Sequence, residues 1–200
     1  MIVKGKKVKG LAVFSLQQSK KIATIHDLVS YSSGHKVSAL TVGKHGLFTE
    51  MQVIPFGDIK SIGEDALVIE TDASIKNVGN ADKGVQQMIR DGVYIIGTAV
   101  ITEDGVALGK IADISFDTKT GTVEEVEMTQ GPIKDVSEGR KTIHGSEIVK
   151  VGKDTTVVRG DTDDKLAAKR GGGLKGMMQD MQDKIGDVVE KAPFNDKKKK

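Results

Sequence analysis

Two hundred residues without a cysteine exclude disulfides, thiolate catalysis and cysteine-bound metals at once. A formal net charge of +2 leaves no strongly basic face of the kind that duplex nucleic acids require, and aromatics at 4% leave few rings for stacking single strands. The 24 glycines against 3 prolines suit many tight turns between short strands, and a hydrophobic fraction of 38% suits small cores better than one large core.

The chain opens with Lys4, Lys6, Lys7 and Lys9, a possible set of anion contacts, followed by Gly10-Leu11-Ala12-Val13. No apolar run there is long enough for a signal peptide. None anywhere approaches the ~20 residues of a membrane-spanning helix. The sequence therefore reads as cytoplasmic and soluble. Lys21-Ile22-Ala23-Thr24-Ile25-His26-Asp27-Leu28 predicts a strand, the turn Ser32-Ser33-Gly34-His35 follows, and Val37 begins another strand. Ile54 to Ile69 then reads as short strands broken at Gly57 and Gly63. Residues 72–91 form a connector in which Ala81–Arg90 predicts a short helix, with Val85, Met88 and Ile89 on one face and a place between the two halves.

From there the pattern returns. Gly97-Thr98-Ala99-Val100 parallels Gly10–Val13, and Leu108–Ile114 parallels the first strand, with Asp113 at the place of Asp27. The turn Thr118-Lys119-Thr120-Gly121 precedes Val123 as the earlier turn precedes Val37. Ile143–Val158 repeats Ile54–Ile69 at a constant offset of 89, with Glu147 at the place of Asp58. The repeat unit is roughly 65 residues, small enough that closing each sheet into a barrel is the economical way to remove its edges. Two acids could suggest acid–base chemistry. However, Asp27 and Asp113 stand in different repeats, which favours a structural role of accepting backbone N–H bonds. Asp58 and Glu147 read as caps of a helical turn. The loop Met128–Arg140 is longer than its counterpart near Gly43–Gly46 and is a candidate for binding or for a mobile hairpin.

After the second repeat, residues 161–173 read as a charged and then Gly-rich flexible linker. Leu174, Met177, Met178, Met181, Ile185, Val188 and Ala192 recur at three- and four-residue steps, an amphipathic helix over 174–192. Met177, Met178, Met181, Ile185 and Val188 are its candidate partner-binding residues, because methionine adapts to irregular surfaces. Its polar face carries Asp180, Asp183, Asp187 and Glu190 against three lysines, which favours protein contact over an anionic membrane. Residues 193–200 read as a disordered basic tail ending in Lys197, Lys198, Lys199 and Lys200, further candidate anion contacts.

Motifs of enzymes are present only as fragments. Gly171–Gly176 satisfies G-x-G-x-x-G, but a linker precedes it instead of a strand. Ser33–Lys36 and Lys119–Gly121 mimic S-x-x-K and K-T-G, yet they occupy corresponding turns of the two repeats. His26, His35, His45 and His144 are scattered without metal-ligand spacing. Neither a catalytic set, a cofactor nor a metal is expected.

Gly109-Lys110-Ile111-Ala112-Asp113-Ile114, continued through Phe116-Asp117 and Thr120-Gly121 to Val123, resembles the signature of the PRC-barrel family. The resemblance spans about residues 5–71 and 92–160, the second copy more closely. It implies an all-β chain of two small six-stranded barrels: barrel 1 over 1–71, the connector 72–91 and barrel 2 over 92–160. The family includes the cytoplasmic domain of the photosynthetic reaction centre H subunit and the C-terminal domain of a RimM-type ribosome maturation factor. It implies a non-enzymatic adaptor or scaffold that binds protein partners, with homo-oligomers possible. Two alternatives stay open at this point. One is an RNA- or ribosome-associated factor using the lysine groups; the other is a peripheral membrane or photosynthetic-complex assembly protein.

Overall fold

The computed structural model describes residues 1–43, 52–81, 83–91, 93–163 and 165–166. Met1–Asp163 form one compact unit and Asp164–Lys200 a second. His45, the amphipathic stretch 174–192 with its methionines, and Lys197 to Lys200 lie outside the described residues.

In chain order the first unit runs through β1 (Ile2–Lys4), α1 (Gly5–Val8), β2 (Ala12–Ser15), β3 (Lys20–Ser30), β4 (Val37–Gly43), β5 (Gln52–Pro55), β6 (Ile59–Ile62), β7 (Ala66–Ile69), β8 (Lys76–Asn77) and α2 (Lys83–Asp91). The second half adds β9 (Ala99–Thr102), β10 (Ala107–Asp117), β11 (Val123–Thr129), α3 (Pro132–Glu138), β12 (Lys141–His144), β13 (Ile148–Val151) and β14 (Thr155–Val158). The first sheet has the order β6-β7-β2-β3-β4-β5-β8; the second has β12-β11-β10-β9-β14-β13, with β1 added to β10. The six shared strands follow one path in both repeats.

Even the irregularities repeat. Register shifts fall between Ile25 and Asp27 and again between Ile111 and Asp113. Others fall between Ile59 and Ser61 and between Ile148 and Lys150. In each repeat the opening strand runs parallel to the last, Ala12 beside Ala66 and Ala99 beside Thr155. Ordinary β-branched alternation supplies these strands: β7 and β14 both bury every second residue. Among the described residues no ladder joins β5 to β6 or β12 to β13. The 3₁₀ turns Phe56–Asp58 and Gly145–Glu147 span those gaps, so the expected closed ring is bridged by a turn there. Asp58 and Glu147 occupy the third positions of those turns. The N-caps are Pro55 and His144, which corrects the reading of the two acids as caps.

β4 is buried on both faces. Leu28, Leu40 and Ile54 meet across β3, β4 and β5 on one face. On the other, Val29, Ala39 and Val53 lie under Ala81 and Val85, with Ile89 and Tyr94 packed at the rim. The connector helix therefore covers a face of the first sheet, which is too apolar to leave wet.

The two repeats dock through their corresponding turns. Val37 N–H donates to Gly121 O and Val123 N–H to His35 O, both at 2.9 Å, so Lys36 and Thr122 form an antiparallel bridge. Val151 N–H donates to Ser32 O at 2.6 Å, and His35 Nε2–H to Ile148 O at 2.8 Å. Phe56 meets Phe116 edge-on at 6.2 Å between ring centroids. The N-terminus crosses over as well. β1, assigned from its place in the sequence to barrel 1, pairs with β10 in the second sheet, Val3 opposite Phe116. Residues 2–4 therefore belong to the second sheet and not to the first. A second correction concerns the start of the linker, where residues 162–163 and 165–166 are helical and Leu166 is buried. The run Asp161-Thr162-Asp163 is as much a helix start as a linker, since its short polar side chains favour first-turn positions.

Candidate functional site

The long loop of the second repeat folds into α3. Gly131 takes φ +104 and turns the chain, and Pro132 then begins the helix at a position where its missing N–H costs nothing. Asp135 points back to the body: it accepts Thr129 Oγ1–H at 2.6 Å, Gln130 N–H at 3.0 Å and Arg140 Nε–H at 3.3 Å. Arg140 also donates from Nη1 to Glu127 at 2.6 Å, and Lys4 Nζ donates to the other oxygen of Glu127 at 2.7 Å. The Thr129 hydroxyl, then the Gln130 amide and Arg140, hold the Asp135 carboxyl below its ordinary range. Arg140 and then Lys4 do the same for Glu127. The two acids are consumed inside the brace.

Two apolar side chains of α3 lie outside the brace. Ile133 is 84% exposed and Val136 89%, three residues apart on one helical face. Burying an Ile or Val side chain is worth roughly 1.5–3 kcal/mol, so a pinned pair held in water is a stored gain for whatever covers it. Sequence reasoning marked the loop but not these residues. The usable signal was glycine on either side, at 131 and 139, with proline at the first helical position.

Other polar groups gather around His144. His144 Nδ1 lies 2.8 Å from Ser146 Oγ, and its Nε2 lies 3.9 Å from Glu124. Ser146 N–H also donates to His144 Nδ1 at 3.2 Å and caps the turn. Among the described residues no three His, Asp or Glu side chains converge as metal ligands. A recess of about 420 Å³ beside the β2–β3 turn is lined by Gln18, Lys20, Lys21 and Asp72, and another of about 610 Å³ by Tyr94, Thr98, Lys110, Lys153 and Asp154.

The acids at matching positions take backbone partners. Asp113 is 4% exposed and accepts Ile114 N–H at 2.9 Å and Lys6 N–H of α1 at 3.0 Å. Asp27 accepts Leu28 N–H at 2.8 Å and pairs with Lys9 at 2.6 Å. Asp58 pairs with Lys76 of β8 at 2.7 Å. Two of the four N-terminal lysines are thereby engaged, Lys4 with Glu127 and Lys9 with Asp27, while Lys6 and Lys7 remain exposed on α1.

Two tandem β domains with one strand path, and with repeat-specific surface insertions, define the class. A family model described as PRC-barrel domain matches residues 2–76 and again 92–165. The chain belongs to the PRC-barrel family. No curated protein matches it. No helix among the described residues is long and apolar enough to cross a membrane.

Proposed function

We propose that this chain is a non-catalytic adaptor whose second PRC domain docks a protein partner through Ile133 and Val136. The observation that carries the reading is their exposure of 84% and 89% on a helix whose Asp135 is tied to Thr129, Gln130 and Arg140 at its base. A rigid apolar knob of this kind fits an apolar groove, since rigidity removes the ordering cost of binding. The Met177–Val188 stripe is a second contact element in the same proposal. The RNA reading loses ground because Lys4 and Lys9 already serve carboxylates, leaving fewer lysines for phosphate. Cytoplasmic location and the absence of catalysis belong to the same proposal.

Affinity capture with the full chain, beside Ile133→Ser/Val136→Ser, tests the reading. The variant should melt within about 2 °C of the parent, because it changes only exposed surface. It should lose at least tenfold of the proteins that the parent retains at moderate salt, roughly the 1.4 kcal/mol expected of one covered aliphatic side chain. Equal capture by both chains would remove α3 as the contact.

A further inference from the structure

The second sheet ends in a strand that has a neighbour on one side only. The sheet order stops at β12, and among the described residues the N–H and C=O groups of Lys141–His144 make no backbone hydrogen bond besides the ladder to β11. The first repeat treats the same edge differently. Its β5 occupies the place of β12 at the offset of 89, and β8 lies antiparallel against it, Val53 opposite Lys76 and Gln52 opposite Asn77. Side chains hold β8 there: Gln52 Nε2–H donates to Asn77 Oδ1 at 3.1 Å, and Lys76 pairs with Asp58 at 2.7 Å. At the same offset the second repeat has Lys165 and Leu166, and these are helical. The first domain thus carries an added strand where, among the described residues, the second carries none.

Proline tells which groups of the edge point outward. A strand tolerates it where its absent N–H would face away from the neighbouring strand. Pro55 stands opposite Ala39 of β4, so Pro55 and Val53, two residues apart, are the outward positions of β5, and Val53 is the residue opposite Lys76. The corresponding residues of β12 are Thr142 and His144. Histidine there supplies the N–H that proline lacks. His144 has φ −73 and ψ 144, extended backbone that prolongs the edge, and it is exposed while Ile143 before it is buried. A proline and a covering strand are two of the usual protections of a sheet edge. β5 has both and β12 has neither.

We infer that β12 takes an extended, proline-free segment of a partner protein, laid antiparallel against Thr142 and His144 as β8 lies against β5. Main-chain hydrogen bonds to Thr142 and His144 set its register. Its alternate side chains continue the two faces of the sheet, an apolar one opposite buried Ile143 and a polar one opposite Thr142. The edge goes beyond the α3 knob, because it recognises backbone instead of an apolar pair.

Hydrogen exchange followed by NMR on the full chain reads the edge directly. Without a ligand, the amides of Thr142 and His144 should exchange at least about tenfold faster than those of Lys141 and Ile143, which face β11. A capped peptide of about seven residues, alternating threonine and valine, should protect Thr142 and His144 at least about tenfold at saturation, and the same peptide N-methylated at every residue should not bind. His144→Pro, which copies Pro55, should weaken peptide binding about three- to tenfold, as the loss of one hydrogen bond does. His144→Ala, which loses the same side chain but keeps the N–H, should not. Ile133→Ser/Val136→Ser should leave the peptide bound, which separates failure of this edge from failure of α3. Equal protection of all four amides without ligand, no protection by the peptide, or binding of the methylated peptide would overturn the inference. Protection that grows with protein concentration would do the same, by giving the edge to a second copy of the chain.

Discussion

Gly34→Ala probes the junction between the repeats with a single methyl group. Gly34 sits in the turn after β3 at φ +72, and an added Cβ would lie 2.5 Å from Ile148 Cγ2 and 2.8 Å from Val151 Cγ2 of the other repeat. Left-handed backbone costs an alanine about 1–2 kcal/mol, partly offset by a less flexible unfolded chain. Crowding two packed branched side chains adds about 1–3 kcal/mol. The sum is about 2–4 kcal/mol. Gly10→Ala is the matched control: φ is +89 there, but nothing lies within 4 Å of the new Cβ, so only the backbone part, about 1 kcal/mol, applies. For a body of this size each kcal/mol moves the midpoint by about 2–4 °C. Thermal melts followed by circular dichroism should therefore show Gly34→Ala lower by roughly 5–15 °C and Gly10→Ala by roughly 2–4 °C. Equal losses would mean that the turn does not bear on the second repeat, and the packing of Gly34 against Ile148 and Val151 would not hold the junction.

Removing the buried Asp113 should cost more than removing its repeat partner. Asp113→Ala strands the N–H groups of Lys6 and Ile114, a loss of about 1–3 kcal/mol in urea denaturation, whereas Asp27→Ala, at a half-exposed ion pair, should lose under about 1 kcal/mol; the reverse order would contradict the structural roles of the two acids. Acid should also weaken the fold through Asp117. The amides of Thr120 and Lys119, with the N-terminal amine, hold its carboxyl at about 2, below its ordinary value of 3.8. Its folded pKa is depressed, so its contribution is present above about pH 4 and is lost as pH falls toward 2. Asp117→Asn should flatten that part of the stability–pH curve, and a carboxyl carbon shift titrating near 4 would contradict the assignment.

Much of the architecture was legible because its signals are local and occur twice. Apolar alternation, Gly and Asp turns and the Ile54/Ile143 correspondence marked the repeat without any contact being known. The helix of the connector was visible from the spacing of Val85 and Ile89, but its seat was not: that depends on Val29, Ala39 and Val53 being apolar on a face the strand pattern alone leaves unassigned. β1 was misplaced for the same reason. Three residues at the start of a chain carry no information about which distant strand they will join, and Val3 beside Phe116 is a tertiary fact.

The candidate surfaces divide in the same way. The amino-acid order by itself determined two copies of one β unit, a connecting helix and an unusually long second-repeat loop, because backbone geometry, turn preference and periodicity act over a few residues. The three-dimensional structure decided which apolar residues stay wet. Ile133 and Val136 resemble core residues in the sequence, and only the pull of Thr129, Gln130 and Arg140 on Asp135 turns their face outward. Phe14 is exposed for a comparable reason: its neighbours Val13 and Ser15 already fill the inner side of β2. Exposure depends on what every other element covers, and no local pattern contains that.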